Sequence, residues 1–141
     1  MKTKMSTAIL VMLFLLTLVI LFHLLILVHV IPYEITWGGR LQNDNEMYIF
    51  ETISILINLF LGWILLMKAQ LVTYKFRPGI VNFLLWLFLG MFLINTIGNI
   101  FAATTLERFF SILTLLFAVL IWRILRGNID KKNQYEMEKG N

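Results

Sequence analysis

The sequence predicts an all-helical integral membrane protein, a four-helix bundle running up-down-up-down with both termini in the cytoplasm. Three observations carry that expectation. Of 141 residues, 60% are hydrophobic and 14% charged, whereas a soluble domain is about half apolar and about a quarter charged. The apolar excess is gathered into four long runs separated by short polar segments. Lys and Arg crowd into alternate connections, as orientation in a bilayer requires.

The spans fall at about 6–31, 47–67, 80–102 and 106–125, giving a transmembrane domain over 1–128 and a polar cytoplasmic tail over 129–141. The first run has no Asp, Glu, Lys or Arg from Met5 to Tyr33, only His23 and His29. About 20 apolar residues cross the hydrocarbon layer, so this run spans it with tilt. Its basic start, Lys2 and Lys4, mimics a signal peptide, but the apolar part is too long and Val28-His29-Val30-Ile31-Pro32 offers no small-residue cleavage pattern. It is expected to stay as the first helix, ended by Pro32.

Pro32–Glu46 is the longest connection. Gly38-Gly39 signals a turn, and Asn43-Asp44-Asn45 supplies N-cap candidates. The second span closes with Lys68, which can snorkel to the headgroups. Pro78-Gly79 punctuates the entry to the third span, and Thr104-Thr105 turns into the fourth, which ends at Arg126-Gly127-Asn128.

Ten of the twelve basic residues lie in the N-terminus, the second connection and the C-terminal part, leaving only Arg40 and Arg108 in the first and third connections. That bias puts the first and third connections outside. Trp63, Trp86 and Trp122 then lie toward inner ends, and Tyr33, Trp37 and Tyr48 at outer ones, as interfacial belts. The net charge of +4 is accounted for by this orientation rather than by nucleic acid, for which no basic face or stacking platform is present. The expected surroundings are a lipid bilayer, plausibly a bacterial inner membrane. Cysteine is absent, which excludes disulfides and thiolate ligands.

Ionisable and amide groups inside a bilayer are costly and usually face the bundle interior, so they are the functional candidates. At about 1.5 Å per residue, His23, Glu51, Asn58, Asn95, Asn99 and Glu107 all fall between the middle and the outer ends of their helices. The inner half is nearly pure hydrocarbon. Glu51, Ser54, Asn58 and Gly62 share one face of the second helix; Glu107, Ser111, Thr114 and Ala118 share one face of the fourth; Asn95, Gly98 and Asn99 form a patch on the third. If these stripes converge, they line an outward-facing polar pocket, with His23 joining from the first helix. His29 lies about 120° from His23 in phase and is not expected there.

Each candidate has a structural alternative. Small and polar residues, here Gly62, Ser54, Gly98, Ser111 and Thr114, are ordinary glue between membrane helices. Thr104 and Glu107 have the spacing of a capping box. Glu51 lies beyond the first turn, so capping explains it poorly. Trp37, Gly38, Gly39 and Arg40 form either a lid over the outer mouth or an interfacial loop anchored by aromatics.

No metalloprotease, nucleophile-elbow, P-loop or dinucleotide motif occurs, so no catalytic residue, metal or cofactor is assigned. The leading expectation is binding or transport of a small solute, ion or lipid, with Glu51 as the protonatable group, Asn58, Asn95 and Asn99 as hydrogen-bond partners and His23 as proton relay. A non-catalytic assembly subunit is the alternative. A lipid enzyme using Glu51 or Glu107 with His23 ranks last. Four helices enclose little space, which leaves room for a homo-oligomer or a membrane partner protein.

Overall fold

The computed structural model describes residues 6–73 and 75–139, with side chains described as far as Gly127. Among these residues there are four long helices, α1 (Thr7–Leu27), α2 (Asp44–Lys68), α3 (Pro78–Ile100) and α4 (Thr105–Lys139), and no strand. Each is long and apolar enough to cross a membrane, α4 over Thr105–Gly127. Two short 3-10 turns, Tyr33–Ile35 and Trp37–Gly39, sit in the first connection.

The helix ends differ from the sequence expectation in instructive ways. α1 stops at Leu27, well before Pro32, because His29 takes a left-handed φ of 58°. Its N–H reaches the Ile26 carbonyl at 2.9 Å while the Val30 N–H returns to Leu25 at 2.9 Å. That pair of bonds is a Schellman closure, which satisfies carbonyls the helix would otherwise orphan. α2 ends the same way: Gln70 has φ 60°, its N–H meets Met67 at 2.9 Å, and the Leu71 N–H meets Leu66 at 3.0 Å. Proline therefore follows the first stop rather than causing it.

Helix starts follow their caps. Asn43 accepts the Glu46 N–H at 2.9 Å, and the Glu46 carboxylate accepts the Gln42 N–H at 3.0 Å. This reciprocal cap starts α2 at Asp44, three residues before the apolar run begins. Pro78 opens α3 at a position where its missing N–H costs nothing. At the far end α4 continues through the polar segment to Lys139 rather than stopping at 125. Lys, Gln, Glu and Met there are good helix formers, and no proline interrupts them.

α3 packs most closely against α4, and α1 against α2; the α2–α3 and α1–α4 seams are looser. One large core joins Ile9, Met12 and Leu16 at the start of α1 to Leu61–Met67 of α2, Val81–Phe92 of α3 and Phe117–Leu125 of α4. Beside it, the Lys68 ammonium donates to the Asn82 carboxamide, tying the end of α2 to α3. A smaller cluster of Ile26, Leu41 and Met47 closes the other end. Phe14, Ile94, Phe101 and Ile112 face outward, each more than 60% exposed, as side chains meeting lipid do. Gly62 and Gly98 correct an expectation: nothing lies within 4 Å of a Cβ built on either. Neither serves as a point of close helix approach.

Candidate functional site

Between the two clusters all four helices surround a cavity of about 520 Å³. His23, Glu51, Asn58, Asn95, Asn99 and Glu107 all line it, together with Ser54, Thr114, Thr36 and Trp37. Most of the remaining wall is apolar, with Phe22, Phe88, Phe92, Phe110 and Phe117 contributing rings. The cavity is thus a hydrocarbon-lined space with polar groups at chosen points, the usual make-up of a ligand pocket.

Glu51 is the centre of its polar network. The side chain is fully buried, which isolates a carboxylate unless partners meet it. Both oxygens are met: Oε2 lies 2.5 Å from His23 Nδ1, and Oε1 accepts the Trp37 indole N–H at 2.8 Å. His23 Nε2 has no hydrogen-bond partner among the described residues. Glu51 stands two turns inside α2, well beyond the cap formed by Asn43.

The first connection delivers Trp37. Thr36 is buried, and its hydroxyl donates to the Tyr33 carbonyl at 2.7 Å. The Thr104 hydroxyl, whose one proton goes to the nearer Glu107 carboxylate, lies 3.3 Å from the Ile35 carbonyl, bringing this connection against the start of α4. Trp37 itself adopts φ 53°, a left-handed conformation that costs a bulky residue about 1–2 kcal/mol. The indole bond to a buried carboxylate and a tilted ring contact with Phe50, 5.0 Å between centroids, hold it there. Gly39 follows with φ 67°. Arg40 is exposed and lies away from the cavity wall, and among the described residues read as a lid Trp37 reaches the cavity.

The amides divide. Asn58 donates to the Ser54 carbonyl of its own helix at 2.8 Å. The Asn95 and Asn99 carboxamides, one turn apart on α3, have no hydrogen-bond partner among the described residues. Glu107 is buried and accepts the Thr104 hydroxyl at 2.7 Å, while its N–H donates to that hydroxyl at 3.3 Å. The capping geometry and the cavity position therefore coexist in Glu107. Thr114 bonds Thr96 at 2.9 Å across the α3–α4 seam, and Ser111 donates to the Arg108 carbonyl at 2.6 Å, away from the cavity. His29 meets the Tyr48 hydroxyl at 3.0 Å, also away from the cavity. Arg108 donates to the Ala102 carbonyl at 3.0 Å.

No family model, curated protein or solved structure matches this chain.

The chemistry of the site rests on its geometry alone. Among the described residues no three of His, Cys, Asp and Glu come together, so His23 and Glu51 offer two donors where a metal usually takes more. The aromatic wall was not singled out in the sequence, although its phase was readable. Phe110 and Phe117 stand three residues from Glu107 and Thr114, and Phe92 three before Asn95, on the faces already marked by polar residues.

Proposed function

We propose that this chain is a multi-pass membrane protein whose cavity binds, and in a transport cycle would carry, a small solute, ion or lipid. Its helices run alternately up and down, both termini are cytoplasmic, and the cavity end of the bundle faces outward, in the inner membrane of a bacterium. Glu51 is the protonatable centre, His23 relays its proton through the free Nε2, and Asn58, Asn95 and Asn99 hydrogen-bond the ligand. One observation carries this reading: six polar residues spread over four helices line a single cavity, while the opposite end of the bundle is filled with hydrocarbon. Polar groups used only to hold helices together have no need to meet around an open space.

A second reading, a non-catalytic assembly subunit, draws support from the Thr96–Thr114 bond, which stitches α3 to α4. Reconstitution separates the two. With the protein in nanodiscs, native mass spectrometry of co-purified ligand should show occupancy lost in Glu51→Gln and Asn95→Ala, with helix content retained. Unchanged ligand occupancy and unchanged liposome transport in both variants would overturn the binding reading. Loss of bundle stability or partner association with no ligand effect would put the assembly reading in its place.

A further inference from the structure

We propose that the cavity takes a neutral, membrane-borne amphiphile, an apolar chain or ring body carrying a hydroxyl or carbonyl head, held by the Asn95 and Asn99 carboxamides. This rests on the binding reading above and fixes its ligand class. The charged groups of the cavity argue against an ionic ligand. Both Glu51 oxygens are already met, by His23 and Trp37, and Glu107 is engaged by Thr104. Among the described residues no Lys or Arg lines the wall. Glu51 is fully buried behind those partners, so an ammonium in the cavity finds no open carboxylate face, and an anion finds only the imidazole of His23.

Besides His23 Nε2, the unmet groups are neutral amides. Asn95 and Asn99 each present a carboxamide, with donor and acceptor together, to the cavity and bond nothing among the described residues. Unsatisfied amides are costly in a span, where no bulk water compensates them. A hydroxyl or carbonyl head satisfies a pair of carboxamides one turn apart without importing charge. The body of such a ligand meets Phe22, Phe88, Phe92, Phe110 and Phe117.

The route of entry points to the bilayer rather than to water. The seam between α1 and α4 is shut beside the cavity by the edge-to-face pair Phe22–Phe110, 5.1 Å between centroids. The α2–α3 seam is loose, with Phe60 meeting Phe88 at 6.3 Å below the amides. Above that contact Ile57 and Asn95 both line the cavity and are exposed, flanked by exposed Ile53, Leu56 and Ile94. A head group sliding in between α2 and α3 reaches Asn95 first and Asn99 next.

The test uses the full chain in phosphatidylcholine nanodiscs with three photoreactive probes of one chain length, a fatty alcohol, a fatty acid and a fatty amine, and maps crosslinks by mass spectrometry. The alcohol is expected to label cavity residues of α2 and α3, in preference to the acid and the amine. The double variant Asn95→Leu/Asn99→Leu should cut alcohol labelling by roughly tenfold or more, as expected when two hydrogen bonds to the ligand head are lost. Ile57→Trp, which leaves both amides intact, should slow labelling by narrowing the slot. Cavity labelling by the acid or the amine in preference to the alcohol overturns this inference and leaves the binding reading standing. Absence of cavity labelling by all three overturns this inference, and the binding reading falls with it only if ligand occupancy and transport are also unchanged in Glu51→Gln and Asn95→Ala. The comparison of head groups on the unaltered protein decides the matter even if the double variant fails to fold.

Discussion

Glu51 shows how a single side chain can organise a membrane interior. A buried carboxylate is tolerated when both oxygens are met, and here the partners come from far along the chain, His23 on α1 and Trp37 in the first connection. Trp37 holds a left-handed backbone to make its bond, a local cost that the surrounding contacts of Thr36 and Thr104 sustain. Two other side chains sit in the same backbone region for a different reason. His29 and Gln70 are the C′ residues of Schellman closures, the position that glycine prefers. Gln70 is exposed and has no side-chain hydrogen bond among the described residues. Gln70→Gly should therefore raise stability by about 1 kcal/mol through relief of the left-handed strain, read as a shift in the unfolding midpoint in mixed detergent. His29→Gly loses the bond to Tyr48 and should give less. Equal gains from both would show that the His29–Tyr48 bond contributes nothing.

At the scale of the element, each span is defined twice, once by its apolar run and once by its ends. The apolar runs place the four helices; the closures decide where they stop. Proline at 32 is a sufficient signal to end α1, yet the chain turns four residues earlier because the peptide carbonyls near Leu25 find N–H partners there. The small residues on the spans behave differently from the seam expected of them. Since a Cβ at Gly62 or Gly98 meets nothing within 4 Å, Gly62→Ala and Gly98→Ala should be tolerated and modestly stabilising, by less than about 1 kcal/mol from helix propensity. A loss of stability in the same detergent titration would mean that another surface packs against these positions in the membrane. Thr96 and Thr114 do join two helices, and Thr114→Val should weaken the α3–α4 pair by about 1 kcal/mol, the ordinary value of such a bond between membrane helices.

The whole molecule is asymmetric from end to end, with packed hydrocarbon at one end and a polar-lined cavity nearer the other. That asymmetry acquires a direction only from the distribution of basic residues. Because the chain lacks cysteine, single-cysteine variants report orientation without background. Arg40→Cys should react with a membrane-impermeant maleimide from the outer face of intact cells, and Arg77→Cys only after the cells are opened. The reverse pattern would turn the cavity toward the cytoplasm and remove the outward-facing element of the proposed function.

The sequence by itself determined the class of the molecule, the number of helices and the residues worth attention. Apolar length is a local property and a bilayer demands it of every span, so four runs of that length leave little choice. Helical phase is equally local, which is why the stripes on α2, α3 and α4 were readable. What only the tertiary structure decided is how those stripes meet. The contacts of Glu51 with His23 and Trp37 depend on how α1, α2 and the first connection are turned toward one another, and no periodicity within one helix encodes that rotation. The same holds for the unmet amides of Asn95 and Asn99 and for the loose α2–α3 seam, since satisfaction and access are properties of neighbours in space rather than neighbours in sequence.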